Sequence, residues 1–223
     1  MPVQLDFLDK IPYFAGLSTS ELDAIAKLIV ERTVEKGDML FLEGESAEVL
    51  YFVVSGAVKA FKTSAEGKEQ ILCILRPGDS FNDVPAFDRG PSPVSAQAMT
   101  PVVLYEISKN DLTSIIRNYP AVALNVIQVL AGRVRHMVSL VEDLSFRNVI
   151  GRVAKILLEN AGDGSGPGPK LTQQEMAAIA GTAREVVGRS LKTLEEEGAI
   201  KLDRHRIVIN DKKALQDMVG MSF

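Results

Sequence analysis

The sequence predicts an α+β chain: a β-roll of jelly-roll type, then a long helix, then a second domain built mainly of helices. Residues 32–107 hold short runs rich in Val, Ile, Leu, Phe and Tyr, with glycines between them. Short strands separated by turn signals about every 8–12 residues indicate an all-β sandwich or barrel. After Asp111 the apolar residues recur every three or four positions, which is the spacing of a helix. The predicted strands read RTVEK, MLFLEG, LYFVVSG, AVKAFKT, EQILCIL, VSAQAMT and VVLYEIS.

Length and composition indicate a globular protein. The chain has 223 residues, of which 46% are hydrophobic and 24% charged, so it has room for one large domain or two small ones and is not expected to be disordered. No apolar run approaches the roughly 18 residues that a membrane-spanning helix needs. The first ten residues lack the basic and then apolar order of a signal peptide. We therefore expect a cytoplasmic protein with no membrane partner.

The cysteine and histidine content excludes several kinds of metal site. Cys73 is the only cysteine, which rules out an internal disulfide, a four-cysteine zinc site and an all-cysteine iron–sulfur cluster. His136 and His205 are the only histidines, too few for a multi-histidine metal site. The composition thus predicts no structural metal.

The charge is unevenly distributed along the chain. Residues 1–147 carry 14 Lys and Arg against 19 Asp and Glu, and residues 148–223 carry 11 against 10, which gives −5 and +1 and adds up to the whole-chain value of −4. The whole-chain value therefore understates how basic a local surface near the C-terminus is.

Helical patterns flank the strands. Residues 4–30 favour a short helix, with Ser18 or Ser20 as its N-cap. Residues 120–146 predict one helix of about 40 Å, with Pro120 in its first turn. A further helix follows and ends at Gly162, and residues 163–170 are expected to form a solvent loop.

A coiled-coil seam is predicted along the long helix, because apolar residues alternate there by three and four positions over almost three heptads. We expect this seam to form a homodimer interface. The alternative is an ordinary helix packed on its own domain. Four other apolar residues, Val126, Val129, Val138 and Leu140, are left to pack on the β domain. The seam consists of Ile127, Leu130, Val134, Met137, Val141 and Leu144.

The strongest functional signal lies at residues 171–198. Two capping boxes, Thr172 with Glu175 and Thr182 with Glu185, each open a short helix. A three-residue turn that contains Gly181 joins the helices, and this arrangement is a helix-turn-helix. The predicted helices are 173–180 and 183–196.

The second of these helices has two distinct faces. Val187, Leu191 and Leu194 share the inward side. Arginine bonds O6 and N7 of guanine and glutamate accepts a hydrogen bond from cytosine N4, so the opposite side suits a DNA major groove. A glycine there would let the backbone approach the bases. The alternative is a surface helix with solvated charges, and the Glu185 carboxylate could instead serve its capping box. The opposite face consists of Arg184, Glu185, Gly188, Arg189 and Lys192.

Two short strands after this helix predict a wing. They cover residues 199–203 and 207–210, and the basic tip Arg204-His205-Arg206 is placed to contact phosphates. His205 reads as a polar loop residue rather than a metal ligand. The full set of predicted DNA-binding residues is Thr172, Gln173, Gln174, Thr182, Arg184, Glu185, Gly188, Arg189, Lys192, Arg204 and Arg206.

The chain resembles the Crp/Fnr family of bacterial transcription regulators over nearly its whole length. The resemblance rests on TQQEMAAIAGTAREVVGRSLKTLEEEGAI in the C-terminal part. It rests on KGDMLFLEGESAEVLYFVVSGAVKAF, EGKEQILCILRPGDSF and VSAQAMT in the N-terminal part, and on the junction LSFRNVIGRVAKILL. It implies a cyclic-nucleotide-binding-type β-roll sensor domain at 1–118, a dimerisation helix at 119–146 and a winged helix-turn-helix DNA-binding domain at 147–223.

The resemblance also implies a mode of DNA reading. A homodimer would place its recognition helices in major grooves about 34 Å apart on a two-fold symmetric double-stranded site. The base-reading residues of the family fall on Arg184, Glu185 and Arg189, and the chain looks like the subclass that prefers TGTGA-like half-sites. Ala183 stands where the family has Ser or Thr. The turn 64–69 sits where family activators touch RNA polymerase.

The effector site departs from the cyclic-AMP pattern of the family. Asn82-Asp83 stand in place of the Gly-Glu pair that grips the ribose, and Pro93-Val94 in place of the pair that grips the phosphate. Without an arginine there, a buried cyclic phosphate would lack a charge partner. Met137-Val138 replace the polar pair that touches the adenine. The predicted pocket residues are Phe81, Asn82, Asp83, Val84, Pro93, Val94, Ser95, Met137 and Val138.

Other effectors stay open at this point. A small apolar or weakly polar molecule fits the apolar replacements better than cyclic AMP does. A haem is not excluded, with His136 and Pro2 as candidate ligands, whereas an iron–sulfur cluster is. Cys73 reads as a buried small hydrophobe, with a thiol sensor as the alternative. Regulation without a small ligand also stays open.

Two other functional classes were compared with a DNA-binding regulator. A metal-dependent enzyme built on a jelly roll needs a cluster of His and Glu in its barrel, which two dispersed histidines do not supply. The other class is a ligand-binding module whose helix-turn-helix no longer touches DNA. In that case, replacing Arg184 and Arg189 would not change the affinity of the protein for DNA. The sequence therefore favours a DNA-binding regulator over an enzyme.

Overall fold

The computed structural model describes residues 3–46, 48–88, 90–160, 171–203 and 206–220, without the side chain of Arg206. The chain forms two compact units, one of Met1–Lys62 with Cys73–His136 and one of Thr63–Leu72 with Met137–Phe223. The border between the units falls inside the long helix, and the second unit includes a hairpin from the strand-rich region. The domain boundaries implied by the resemblance stay predictions.

The first unit begins with short helical segments. Ser18 caps the helix α2: its hydroxyl accepts a hydrogen bond from the Glu21 N–H, and its own N–H donates to Glu21 Oε2 at 2.7 Å. Ser18, rather than Ser20, is therefore the N-cap. The segments are α1 (Leu5–Leu8), a 3₁₀ turn (Pro12–Phe14) and α2 (Thr19–Ala26).

Each of the seven predicted runs overlaps a strand. The described residues form two four-stranded sheets, one in the order β1-β8-β3-β6 and one in the order β2-β7-β4-β5, so the expected β-roll is confirmed. The strands are β1 (Val30–Val34), β2 (Met39–Phe41), β3 (Val49–Ser55), β4 (Val58–Thr63), β5 (Glu69–Leu75), β6 (Ser80–Phe81), β7 (Ser95–Ala98) and β8 (Val102–Ser108).

The strand β3 shows why the roll is stable, because it is apolar on both faces. Leu50 and Phe52 pack into a core shared with the helices. Tyr51 and Val53 point the other way, into the core between the two sheets. Side chains alternate along a strand, so one continuous apolar run supplies two cores.

Three further helices follow later strands: one comes after β6 and two come after β8. The period changes to helical at Lys109, slightly before the predicted point, and the Ser108 hydroxyl caps this helix by accepting from the Asp111 N–H at 3.1 Å. The long helix has the predicted bounds and runs from the first unit into the second. The helices are α3 (Asp83–Asp88), α4 (Lys109–Asn118) and α5 (Pro120–Phe146).

The second unit contains the helix-turn-helix and a two-stranded ribbon. Its core draws on every helix of the C-terminal part, with Val153, Met176, Leu191 and Leu215 all buried. The predicted helix end at Gly162 and the loop 163–170 lie outside the described residues. The elements are α6 (Val149–Asn160), α7 (Gln173–Ala180), α8 (Arg184–Glu196), β9 (Ile200–Asp203), β10 (Arg206–Ile209) and α9 (Lys212–Val219).

Candidate nucleic-acid interface and sensor pocket

The first helix of the helix-turn-helix begins at the predicted capping box. The Thr172 hydroxyl accepts from the Glu175 N–H at 3.1 Å, and the Thr172 N–H donates to Glu175 Oε2 at 2.7 Å. The Thr172 and Glu175 capping box is therefore confirmed. Thr172, Gln173 and Gln174 are all exposed at this end of α7, where DNA-binding side chains are expected.

The second predicted capping box, Thr182 with Glu185, is wrong. Gly181 ends α7 with a φ of 65°, and the Thr182 N–H donates to the Ala177 carbonyl at 3.0 Å. Thr182 thus completes the C-terminal cap of α7, which shifts the start of α8 by one residue. Ala183 is the N-cap of α8, with no side-chain capping bond. The Glu185 carboxylate is consequently not used as a cap.

The two faces of α8 lie as the spacing predicts. Val187, Leu191 and Leu194 are fully buried. Arg184, Glu185 and Arg189 are exposed, and within the described part of the chain their side chains make no hydrogen bond or ion pair. Lys192 is also exposed and lies 3.8 Å from Glu196. Three side chains that suit base edges are therefore available to a partner.

Gly188 lies on α8 near the start of α7. A Cβ at this position would lie 3.7 Å from Gln173 Oε1, an ordinary contact distance, and the residue is only half-exposed. A close approach of the Gly188 backbone to a DNA groove stays a prediction.

The predicted wing is present as an antiparallel pair. Asp203 faces Arg206 at the tip of the β9-β10 ribbon, and Ile200 faces Ile209 at its base. The Leu202 N–H donates to Glu195 Oε1 at 2.7 Å, which fixes the ribbon to the end of α8. Arg204, His205 and the side chain of Arg206 lie outside the described residues, so phosphate contacts from the tip stay a prediction.

The sensor residues fall into a buried and an exposed group. Phe81, Asn82, Asp83 and Ser95 are buried. Val84 and Pro93 are exposed and Val94 is intermediate, while Met137 and Val138 are exposed in the second unit. Asn82 adopts a φ of 65°, a left-handed conformation that asparagine tolerates better than most residues.

Asp83 is the centre of a polar network inside the first unit. Its side chain is 1% exposed. Its Oδ1 accepts from the Tyr13 hydroxyl and from Ser80 Oγ, the latter at 3.0 Å, and its Oδ2 accepts from Arg133 of α5. Arg133 also donates to the Ser80 hydroxyl at 2.8 Å and to the Ser80 carbonyl. Both carboxylate oxygens of Asp83 are thus already engaged.

Burial and the Asp83 charge shift the pKa values of two groups in this network, Tyr13 and Arg133. Burial, and then the charge of Asp83, raises the pKa of Tyr13 well above its usual range, so its hydroxyl stays a donor. Burial acts to lower the pKa of Arg133, but Asp83 outweighs that effect and the net shift is upward. The result is a buried carboxylate that is neutralised from within the chain.

The sequence-based reasoning missed Tyr13, Ser80 and Arg133. A lone arginine on a helix reads as a solvated charge, and its partner is 50 residues away in the chain. One signal was available: Arg133 lies among apolar positions of α5, next to Val134, while Asp83 follows the apolar strand end at Phe81. Two opposite charges in apolar surroundings are expected to pair.

Cys73, His136 and Pro2 are the remaining residues that the sequence offered to a sensor or cofactor. Burial raises the pKa of the Cys73 thiol to about 11, which opposes formation of the reactive thiolate. His136 is exposed on α5, and Pro2 lies outside the described residues. Within the described ranges, no three His, Cys, Asp or Glu side chains are grouped as a metal site requires.

The predicted seam on α5 is mostly exposed. Ile127, Val134 and Val141 are each more than 60% exposed. Leu130 is partly packed on the core of the first unit, and Leu144 lies close to Gly181 in the second. Val138, which was expected to pack on the β domain, is 64% exposed instead.

No helix within the described part of the chain is both long and apolar enough to cross a membrane.

Comparisons with known proteins match both parts of the chain. A cyclic nucleotide-binding domain model matches residues 31–119, and a Crp-like helix-turn-helix model matches residues 151–218. The cyclic AMP receptor protein of Thermus thermophilus is 34% identical over 207 residues, which covers 93% of this chain and 96% of the relative. The chain belongs to the Crp/Fnr family. This Crp/Fnr chain is therefore a transcription regulator with a DNA-binding helix-turn-helix, and its family is one of regulators rather than enzymes.

Other relatives of this Crp/Fnr protein agree in sequence and fold. The CRP-like cAMP-activated global transcriptional regulator of Mycobacterium tuberculosis is 33% identical over 217 residues, covering 94% of this chain and 97% of the relative. The structure of FixK2 from Bradyrhizobium japonicum superposes with a TM-score of 0.75 at 26% identity, over 85% of this chain and 96% of that one. The Thermus thermophilus catabolite activator protein structure gives 0.56 at 33% identity, over 94% and 98%.

Proposed function

We propose that this Crp/Fnr protein is a homodimer that reads palindromic TGTGA-like sites in double-stranded DNA, under the control of an effector other than cyclic AMP. One observation carries the DNA-reading part: the first turns of α8 present Arg184, Glu185 and Arg189 to solvent, unpartnered within the described chain. These residue types match guanine and cytosine edges in a major groove. Thr172, Gln173, Gln174, Thr182, Lys192, Arg204 and Arg206 complete the proposed DNA contacts.

The exposed seam of α5 supports the homodimer. Contiguous exposed apolar residues on a helix mark an interaction surface, and a coiled-coil seam would cover Ile127, Val134 and Val141 with the same residues of a second copy. A dimer would also present two copies of α8 to the two halves of a palindrome. One helix thus accounts for both the apolar face and the symmetry of the proposed site.

The Asp83 network supports an effector other than cyclic AMP. A ribose hydroxyl would have to compete with Tyr13, Ser80 and Arg133 for Asp83, since these donors already occupy three of the about four lone-pair positions of the carboxylate. Pro93 and Val94 add no cation for a cyclic phosphate. The names of the Thermus and Mycobacterium relatives describe those proteins. In this chain, the positions that the resemblance assigns to the ribose and to the phosphate do not carry the residues of the cyclic-AMP pattern.

Titration calorimetry with cyclic AMP tests the effector proposal. We expect no saturable heat up to millimolar cyclic AMP, because the pocket holds a neutralised carboxylate and offers the phosphate no dedicated partner. Saturable binding in the micromolar range would contradict it.

RNA polymerase is the proposed protein partner of the DNA-bound dimer, through the turn 64–69. The Ser64 N–H bonds to the Lys68 carbonyl at 2.9 Å, and the Gly67 N–H to the Ser64 carbonyl at 2.9 Å, so the turn has a defined shape. A regulator that binds DNA must share a compartment with it, and we propose a cytoplasmic location for that reason.

Removal of the arginines tests the DNA-reading proposal. Fluorescence anisotropy would compare Arg184→Ala, Arg189→Ala and wild type on a palindromic TGTGA duplex and a scrambled one. Each arginine–guanine contact is worth about 1–3 kcal/mol, and a dimer loses it twice, so each variant should bind the palindrome at least about thirtyfold more weakly.

Lys213→Ala is the matched control for these variants. Lys213 is an exposed cation on α9 of the same unit, and its removal changes the net charge by the same amount as each arginine variant. If Arg184→Ala and Arg189→Ala both bind the palindrome as tightly as Lys213→Ala does, α8 is not the reading helix.

A further inference from the structure

The turn of the helix-turn-helix receives hydrogen bonds from outside the helix pair. The last carbonyls of a helix have no partner inside it and need donors from elsewhere. At the end of α7, three successive carbonyls find such donors. Gln70 Nε2 bonds to Ile179 O at 3.1 Å, Arg152 Nε to Ala180 O at 2.8 Å and Lys68 Nζ to Gly181 O at 3.4 Å.

Two of these three donors come from one β-hairpin. Lys68 and Gln70 lie at the tip of the β4-β5 hairpin, within residues 63–72 of the second unit. The same residues fall inside the span that matches a cyclic nucleotide-binding domain. A hairpin that belongs to the sensor part by sequence therefore contacts the turn that precedes the recognition helix.

The hairpin and the turn approach each other closely. A Cβ on Gly181 would lie 3.0 Å from Gln70 Oε1 and 2.9 Å from Leu144 Cδ2. Two features therefore require glycine at position 181. One is the left-handed φ of 65°, and the other is the lack of space for a Cβ beside Gln70 and Leu144. The side chain of Gln70 also stays near its own strand, with Nε2 at 3.2 Å from the Ile71 carbonyl, which restricts its movement.

The hairpin tip is itself well defined. Ser64 Oγ accepts from the Lys68 N–H at 3.1 Å, and Gly67 adopts the positive φ of 80° that the turn needs. Lys68 is thus presented from a fixed turn rather than from a free loop. A cation at the C-terminal end of α7 is also favoured by the helix dipole.

We propose that Lys68 and Gln70 are positioning residues for DNA reading: they hold the turn 179–181 and thereby set the direction in which α8 leaves it. Ala183, the N-cap residue of α8, makes no side-chain capping bond. The start of α8 therefore depends on the preceding turn for its position. The bonds engage the turn and leave Arg184 and Arg189 exposed. The hairpin therefore supports the reading face rather than covering it.

This proposal deepens the proposed DNA-reading function and can be tested apart from it. The test variant is Lys68→Met with Gln70→Met, which removes both donors and keeps the side-chain length. Lys36→Met is the control, because it removes one exposed cation of the first unit. Lys68→Arg, with Gln70 intact, keeps both donors. This variant should match the wild type in amide exchange and in the ratio of DNA affinities.

The first measurement is hydrogen exchange on the full chain without DNA. We expect the amides of residues 180–187 to exchange about tenfold faster in the double variant than in Lys36→Met, since each bond to a carbonyl contributes modestly to stability. Unchanged exchange at these amides would overturn the proposal, whatever the DNA-binding result.

The second measurement is the ratio of affinities for a palindromic TGTGA duplex and a scrambled duplex. We expect this ratio to fall about tenfold in the double variant and to stay unchanged in Lys68→Arg and Lys36→Met. A purely structural role would lower both affinities together and leave the ratio unchanged, which would overturn positioning. If the wild type itself does not discriminate, the proposed function fails, and exchange alone then decides whether the hairpin holds the turn.

Discussion

The single residue that most changes the interpretation of the sensor pocket is Asp83. From sequence it was a member of an effector pocket, aligned with a residue that grips a ribose. In the structure it is buried and bonded by Tyr13, Ser80 and Arg133. At a position to which the resemblance assigns ligand binding, the chain therefore has an ion pair between its own residues. The sequence indicated that Asp83 and Arg133 each lie among apolar residues, but it did not identify Tyr13 and Ser80 as further partners, and the pairing itself joins residues 50 positions apart.

Replacing Arg133 tests the importance of this ion pair. Removal of one partner of a buried pair leaves an uncompensated charge and costs about 3–5 kcal/mol. The Arg133 side chain is 35% exposed, however, and solvent reduces the cost. We expect Arg133→Met to lower the free energy of unfolding by about 2 kcal/mol, measured by chemical denaturation.

Arg135→Met is the control for Arg133→Met, since Arg135 is exposed on the same helix. The double variant Asp83→Asn with Arg133→Met should recover part of the loss, because the carboxylate no longer needs a cation. Equal stabilities of Arg133→Met and Arg135→Met would show that the pair contributes nothing.

At the scale of elements, periodicity predicted most of the fold. The seven apolar runs became strands, and both the long helix α5 and the first helix of the helix-turn-helix have the predicted bounds. These elements are long or strongly patterned. The elements missed were α1, α3, β6 and α9, which have two to eight residues and too few turns or alternations to show a period.

The missed start of α8 has a different cause. Thr182 and Glu185 have the spacing of a capping box, but Thr182 is used by the end of α7. Two helices joined by a short turn compete for the same residues, and the glycine conformation at Gly181 decides in favour of α7. A capping-box pattern that is considered for one helix alone does not show that the preceding helix uses the same residue.

The junction of α5 and α6 contains a second buried ion pair. Asp143 is buried near the end of α5, where it accepts from Arg147 and from Lys155 of α6. Lys155 also bonds to Ser139 Oγ at 3.1 Å, and Arg147 bonds to the Val219 carbonyl at the end of α9. These bonds join three helices of the second unit, so the last turns of α5 are fixed to α6 and to the end of α9.

Replacing Asp143 tests this junction. Asp143→Asn keeps the size of the side chain but leaves two cations without their shared carboxylate, so we expect the free energy of unfolding of the second unit to fall by about 2–4 kcal/mol. Denaturation followed by hydrogen exchange at residues 147–151 would measure it. Glu142→Gln, at the exposed neighbouring position on α5, should have little effect, and a similar loss in both variants would contradict the assignment.

At the scale of the whole molecule, the charge balance makes the DNA interface a local property. The chain carries a net charge of −4, so affinity for DNA must come from the few cations on the helix-turn-helix and wing. Phosphate contacts release counterions, and binding should weaken steeply with salt. An effector of the proposed dimer would change this binding only if it bound one conformational state better than the other. A difference of about 1.4 kcal/mol shifts the populations tenfold.

The proposed dimer and the proposed reading helix α8 together require the two half-sites to lie on the same face of the duplex about one helical turn apart. The most direct measurement inserts about five base pairs, half a turn, between two TGTGA-like half-sites and compares affinity with the uninterrupted palindrome. The account predicts that the insertion lowers affinity to that of a duplex with a single half-site. Equal affinity for the interrupted and uninterrupted duplexes would contradict a dimer that reads both halves through α8.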